Sequence, residues 1–290
     1  MSSFFEQNIH HFSFEEFVRW ALREDIGSGD YTSISTIPPE REGRMQLLVK
    51  QDGVIAGVEA TQRILQLIYP EAEMKILIPD GSQIKKGDIV FYLKGKIRTL
   101  LSYERLILNI LQRMSGIATK TKYLQSLCAG TNAKVTDTRK TTPLFRFFEK
   151  WAVYIGGGHN HRWGLYDMIL IKDNHIDAAG GIENAILQCR KFLQENNLQL
   201  RIEVETRNFN EVQQALAMMP DRIMLDNFSV EEVKQAVKFI NGKTETEASG
   251  GINEHNLKEY AQTGVNYISV GSLTHQINSL DLSLKLVEKY

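Results

Sequence analysis

Beyond residue 130 the chain repeats one unit, a short apolar strand followed by a helical pattern. The strands are AKVTDT (133–138), MILIK (168–172), LRIEVE (200–205), RIMLD (222–226), TETEAS (244–249) and NYISVG (266–271). Alternation of this kind predicts parallel strands joined by right-handed helical crossovers. Six such units predict a (β/α) barrel short of the usual eight strands.

The chain before that repeat reads differently. Ser13-Phe14-Glu15-Glu16 fits a capping box, and Phe14, Phe17, Val18, Ala21 and Leu22 share one face of a helix that stops near Gly27. Met45, Leu47 and Val49 alternate with polar residues, and MKILI (74–78), a Pro79-Asp80-Gly81 turn and DIVFYLKG (88–95) follow a short helix around 58–69. The 74–95 segment has the look of a lipoyl or biotinyl carrier hairpin, but the turn bears no lysine in the expected setting, so a sandwich-like domain is the better reading. A long helix starts near Thr99, is expected to be interrupted at Ser115-Gly116, and joins two domains. The tail LSLKLVEKY (282–290) is expected to return to the N-terminal domain. The fold class is therefore α/β: an N-terminal α/β sandwich-like domain (1–115, joined by 276–290) plus an incomplete (β/α) barrel (116–275).

A formal charge of −1 gives no global attraction for nucleic acid or an anionic membrane, so charge-based function has to come from local clustering. No apolar run approaches the ~20 residues that span a bilayer, and the first residues lack the pattern of a secretory signal, so no membrane partner and a cytoplasmic location are expected. Cys128 and Cys189 are too few and too far apart for a disulfide framework or a thiolate zinc site, and are expected on helices as small buried hydrophobes.

Barrel enzymes place reacting groups at the carboxyl ends of their strands. Here those ends carry Arg139, Lys172, Glu205, Asp226, Ser249 with Gly250 and Gly251, and Gly271 with Ser272, at steps of 33, 33, 21, 23 and 22 residues. One such residue alone reads as a solvated loop position; a series that tracks every strand end does not. Its cations come early, its carboxylates in the middle and its glycine loops last, which suits a substrate bearing both acid groups and phosphates.

TDTRKTTP (136–143) and GGGHNHRWGLYDMILIKDNH (156–175) bring Arg139, Lys140, His161, Arg162 and Lys172 toward one place. A guanidinium can grip a carboxylate through two parallel bonds, so two arginines suggest a dicarboxylate. His159 and His161 form an H-x-H pair with His175 nearby, but the surrounding positive charge argues against zinc. Gly156-Gly157-Gly158 is not a Walker loop, since no Gly-Lys-Ser/Thr follows. Glu205 and Asp226 can hold Mg²⁺ through waters and bind ribose hydroxyls. Glu203 competes with Glu205, one of the two being expected inside the barrel and the other toward the helices. The SGG (249–251) and VGS (270–272) glycines let backbone N–H groups approach a phosphate.

These stretches, with LREDIGSGDYTS (22–33), ERLILNILQRMSGIAT (104–119), EKWAVYIGGGHNHRWGLYDMILIKDNH (149–175), IEVE (202–205), IMLDNF (223–228), EASGGI (247–252) and ISVGSLTH (268–275), resemble the quinolinate phosphoribosyltransferase family across nearly the whole chain. The family's Pro-Gly-Leu-Arg is Pro143-Leu144-Phe145-Arg146 here, so the geometry of that loop is in question. The resemblance implies transfer of phosphoribose from phosphoribosyl pyrophosphate to quinolinate with loss of carbon dioxide, a step of NAD biosynthesis. It implies a homodimer or larger homo-oligomer with shared sites. By position, Arg139, His161, Arg162 and Lys172 would bind quinolinate, with Arg105 entering from a neighbouring subunit, and Thr138 and Val270 would also touch substrate. Lys140, Ser249, Gly250, Gly251, Gly271, Ser272 and His275 would hold phosphates, and Glu205 and Asp226 would serve the ribose and Mg²⁺. An enzyme for another aromatic acid and a non-catalytic phosphoribosyl-ligand sensor are the rivals, and turnover separates the latter.

Overall fold

The computed structural model describes residues 3–287. In chain order its strands are β1 (Glu42–Val49), β2 (Gly53–Val54), β3 (Glu73–Ile76), β4 (Gln83–Ile84), β5 (Ile89–Lys96), β6 (Lys134–Thr136), β7 (Ile169–Ile171), β8 (Ile202–Thr206), β9 (Arg222–Asp226), β10 (Glu245–Ser249), β11 (Tyr267–Ser269) and β12 (Leu282–Val287). They fall in two compact units. The first holds the described chain up to Lys122, Thr141–Gly157 and the residues from Thr274 onward; the second holds Tyr123–Lys140 and Gly158–Leu273.

In the first unit β12, β1, β5 and β3 form an antiparallel sheet. Met45, Leu47 and Val49 lie on one face because strand side chains alternate, and they pack with Phe91 and Leu93 against Val58 and Leu65 of the helix Val58–Ile68 and against Leu100, Ile107 and Leu111. The returning tail supplies β12, whose Leu282 and Leu284 join that core; residues 288–290 of the expected strand lie outside the described residues.

Two local expectations fail here. Ser13 does precede the helix Phe14–Ile26, and Gly27 ends it at φ 55°, but the Ser13 hydroxyl makes no capping bond. The long helix runs unbroken from Ile97 to Leu127. Gly116 sits inside it because a Cβ there would come within 2.2 Å of the Asn278 carbonyl oxygen, and Ser115 Oγ accepts the Ala56 N–H at 3.0 Å. Both residues therefore serve close packing rather than helix termination.

Asp80, from the expected Pro-Asp-Gly turn, caps the helix Val58–Ile68 from a distance. Its carboxylate accepts the Val58 N–H at 2.9 Å and the Glu59 N–H at 3.0 Å. Burial nevertheless raises its pKa from 3.8 to about 6, against the lowering by those bonds. An acid raised on folding gives stability that is complete below the unfolded value and is lost as pH rises through the folded one. Asp80→Asn cannot ionise, so the variant's stability relative to wild type should improve between about pH 4 and pH 6 and level off above. Parallel urea titrations at pH 4.5 and 7.5 check this; an unchanged difference would refute it.

In the second unit the strand order is β6-β11-β10-β9-β8-β7, every pairing parallel. This is the incomplete barrel, with helices following the strands. Cys128 is buried just past the end of the Ile97–Leu127 helix, not on it, and Cys189 lies half-buried on the helix Ile182–Glu195.

Candidate active site

Parallel pairing sends every carboxyl end of the barrel strands to one rim. Arg139 and Lys140 follow β6, Lys172 follows β7, Glu205 lies next to last in β8, Asp226 and Ser249 end β9 and β10, and Val270, Gly271 and Ser272 follow β11. Arg139, Lys140 and Lys172 are exposed, whereas Thr138, Arg162, Asp226, Ser249, Gly271 and Ser272 are half-buried. Arg105 is exposed on the Ile97–Leu127 helix and His275 is exposed at the end of Ser272–His275; both belong to the first unit.

The segment carrying His161 and Arg162 is pinned by a residue the sequence did not single out. Asp137, fully buried after β6, accepts the His161 N–H at 2.8 Å and the Asn160 side-chain amide at 2.7 Å. Asp167 then holds the turn by accepting the Trp163 and Gly164 N–H groups at 2.7 and 2.8 Å. Arg162 donates to the Met168 carbonyl at 3.3 Å. Burial lowers the Arg162 pKa, and the Arg139 charge lowers it further, so the two guanidiniums are near enough to repel. A partly desolvated Arg162 crowded by a second guanidinium is stabilised by an arriving anion.

The acids sit beside them. Lys172 Nζ is 3.8 Å from Glu205. Burial raises the Glu205 pKa, Lys172 opposes that, and Asp226 and Asp173 add to it. Asp226 accepts the Asn227 side-chain amide at 2.7 Å. Glu203 and Glu205 do not face opposite ways. Residues two apart on a strand share a face, and both point into the barrel: Glu205 toward Lys172, and Glu203, fully buried, toward His161 at 3.1 Å and Arg222 at 3.8 Å. His175 is no metal ligand candidate at Nδ1, which accepts the Lys172 N–H at 3.0 Å and caps the helix Asp173–Ala179.

Glycine is required at the first phosphate-type loop. Gly250 has φ 93°, and a Cβ there would meet Asn227 Oδ1 at 2.2 Å; Gly251 has φ 62° with open space around its Cβ position. The loop after β10 thus packs on the turn after β9 and leaves backbone exposed for a ligand. In the first unit, Leu144 stands where the resembled family has glycine, at φ 60° and 81% exposed. A side chain in that left-handed conformation costs about 1–2 kcal/mol. Its neighbour Thr142 is held by its N–H to buried Glu149 at 3.1 Å, and Glu149 also accepts from Arg113 at 2.7 Å.

Two family models match the chain: quinolinate phosphoribosyl transferase, N-terminal domain, over residues 30–115, and the C-terminal domain of the same family over residues 117–285. A curated relative from Nicotiana tabacum, quinolinate phosphoribosyltransferase [decarboxylating] 1b, is 43% identical over 285 residues, covering 93% of this chain and 81% of that protein. The Bacillus subtilis protein named probable nicotinate-nucleotide pyrophosphorylase [carboxylating] is 40% identical, covering 95% of this chain and 94% of its own. The crystal structure of NadC from Streptococcus pyogenes superposes with a TM-score of 0.90 at 36% identity, covering 99% of this chain and 100% of that one.

Proposed function

The chain belongs to the quinolinate phosphoribosyl transferase family, and from that premise we propose that it transfers phosphoribose from phosphoribosyl pyrophosphate to quinolinate with decarboxylation. The products are nicotinate mononucleotide, carbon dioxide and pyrophosphate, a step of NAD biosynthesis. The observation that carries this reading is the rim itself, where crowded Arg139 and Arg162 and nearby Lys172 and Glu205 share one barrel end with glycine loops.

The ring nitrogen attacks C1 of the sugar as the bond to pyrophosphate breaks, through a transition state with oxocarbenium character. No side chain has to act as nucleophile. Arg139, Arg162 and Lys172 bind and orient the two carboxylates, and the loops at Ser249–Gly251 and Val270–Ser272 hold phosphate oxygens, so the reacting atoms meet in line. Lys140 and His275 would add positive charge to the phosphates, and Thr138 a hydroxyl to the acid pocket. Once the ring nitrogen is alkylated, its positive charge stabilises the carbanion left on the adjacent ring carbon when the carboxylate departs as carbon dioxide, and that carbon then takes up a proton.

Glu205 and Asp226 fit a magnesium ion that keeps most of its water, since two carboxylates on neighbouring strands offer a partial shell that substrate phosphates complete. Bound there, the ion would neutralise charge on the leaving pyrophosphate. Purified protein given quinolinate, phosphoribosyl pyrophosphate and Mg²⁺ should release carbon dioxide, and chelation should stop it. Folded protein that releases none would leave ligand binding without turnover.

Assembly as a homodimer or larger oligomer with shared sites follows from the same reading, with exposed Arg105 reaching a neighbour's pocket. Mixing Arg105→Ala with Arg139→Ala protein should then restore part of the activity when hybrid dimers form. Confirmed hybrids that stay inactive would assign Arg105 to its own subunit or outside the chemistry. No helix among the described residues is long and apolar enough to cross a membrane, and a cytoplasmic location belongs to the same reading.

A further inference from the structure

Beneath the rim, inside the barrel, lies a buried group that the proposed reaction does not use. Glu203 and Glu247 are fully buried, and Arg222 is buried beside them with its guanidinium 2.8 Å from Glu247 and 3.8 Å from Glu203. His161 points into this group: Nε2 lies 3.1 Å from Glu203 Oε2 and 3.5 Å from Glu247 Oε2. Its other ring nitrogen, Nδ1, accepts the peptide N–H of Arg162 at 2.8 Å.

Those contacts decide the protonation of the ring. A peptide N–H can only donate, so Nδ1 has to be the acceptor, and the one proton of a neutral imidazole is then on Nε2, facing the two glutamates. His161, Glu203 and Glu247 lie within 4.8 Å of one another, a spacing a metal ion could use. A metal-bound histidine, however, donates from its other nitrogen, and here that nitrogen accepts. Arg222 already supplies positive charge at the place a cation would take. The group therefore holds a proton and an orientation.

We infer that Glu203 and Glu247, braced by Arg222, are positioning residues: they fix His161 with its proton on Nε2, and Nδ1 of His161 fixes the backbone of Arg162. Nδ1 is tied to the Arg162 backbone and Nε2 lies 3.1 Å from Glu203 and 3.5 Å from Glu247, so His161 orients Arg162. This rests on the proposed reaction and adds to it, since the family resemblance gives Glu203, Glu247 and Arg222 no role. The sequence offers the reason for the design. His161 and Arg162 are neighbours on a strand-free segment, and the tie at Nδ1 acts on the Arg162 backbone itself, beside the bonds of Asp137 and Asp167 to the residues on either side.

The test reads the ring directly. In wild-type protein labelled with ¹⁵N-histidine, the His161 resonances, assigned by their loss in His161→Asn, should show an unprotonated Nδ1 and a protonated Nε2, both with and without saturating quinolinate. Kinetics give the second arm. Glu247→Leu should raise KM for quinolinate about tenfold or more while KM for phosphoribosyl pyrophosphate moves less than about twofold. Glu247→Gln, whose amide oxygen can still accept from Nε2, should keep KM for quinolinate within about threefold. A general loss of packing would instead move both constants or kcat alone. A proton on Nδ1 in the quinolinate complex, an unchanged KM in Glu247→Leu, or an equal loss in Glu247→Gln would each overturn the inference. If Glu247→Leu does not fold, the ring resonances and Glu247→Gln still decide. Wild-type protein without turnover would refute the proposed reaction; active wild type with a proton on Nδ1 would refute only this role for His161.

Discussion

Arg162→Ala is expected to lower kcat/KM for quinolinate by about 30- to 1,000-fold, or about 2–4 kcal/mol of transition-state stabilisation. The side chain is half-buried, is anchored to the Met168 carbonyl, and carries a charge that burial and Arg139 both disfavour. A guanidinium in that condition gains more from a substrate carboxylate than one in bulk water, because the carboxylate offsets repulsion already present in the empty pocket. Removing it also leaves a carboxylate desolvated without its partner. Arg162→Lys restores charge but not the planar pair of donors, so it should recover only part of the loss. Initial rates at varied quinolinate measure all three proteins, and wild-type efficiency in Arg162→Ala would remove this residue from the site.

The rim was legible because each element that builds it is written locally. Short apolar runs give parallel strands, their spacing gives crossovers, and strand ends then fall together whatever the details of the helices. Six observed strands bear this out, five within their expected runs and β8 extending one residue past its own. The layer below the rim was not legible in the same way. Glu203, Arg222 and Glu247 sit within strands whose apolar neighbours dominate the pattern, and polar residues at such positions read as facing outward. A period of two was the available signal: it puts Glu203 with Glu205, and Glu247 with Ser249, on the site-facing side. Pairing register supplies the rest, since Glu203 and Glu245 flank Arg222 on the adjacent strands, and register is a tertiary fact. Gly116 was misread for a related reason. A glycine in a helix looks like a stop until the distant Asn278 backbone is seen to pass against it.

Arg222 carries the largest expected effect on stability. Its side chain is 8% exposed, and it meets Glu247 at 2.8 Å and Glu245 at 3.2 Å, lies near Glu203, and stacks over the Tyr267 ring at 3.9 Å. Arg222→Met keeps much of the volume but leaves buried carboxylates without their cation, which should cost about 3–5 kcal/mol at pH 8. The loss has a defined pH dependence. Burial raises the pKa of both Glu203 and Glu247 above the usual carboxylate value, while Arg222 pulls both down. Without the arginine the folded values rise further, and an acid raised on folding contributes stability only while protonated. The deficit of Arg222→Met should therefore grow as pH rises past about 7 and shrink toward the packing loss alone as pH falls to about 5. Urea midpoints for both proteins at pH 8 and pH 5 test this. A deficit below about 1 kcal/mol, or one of equal size at the two pH values, would mean that the buried charges are compensated by something other than Arg222.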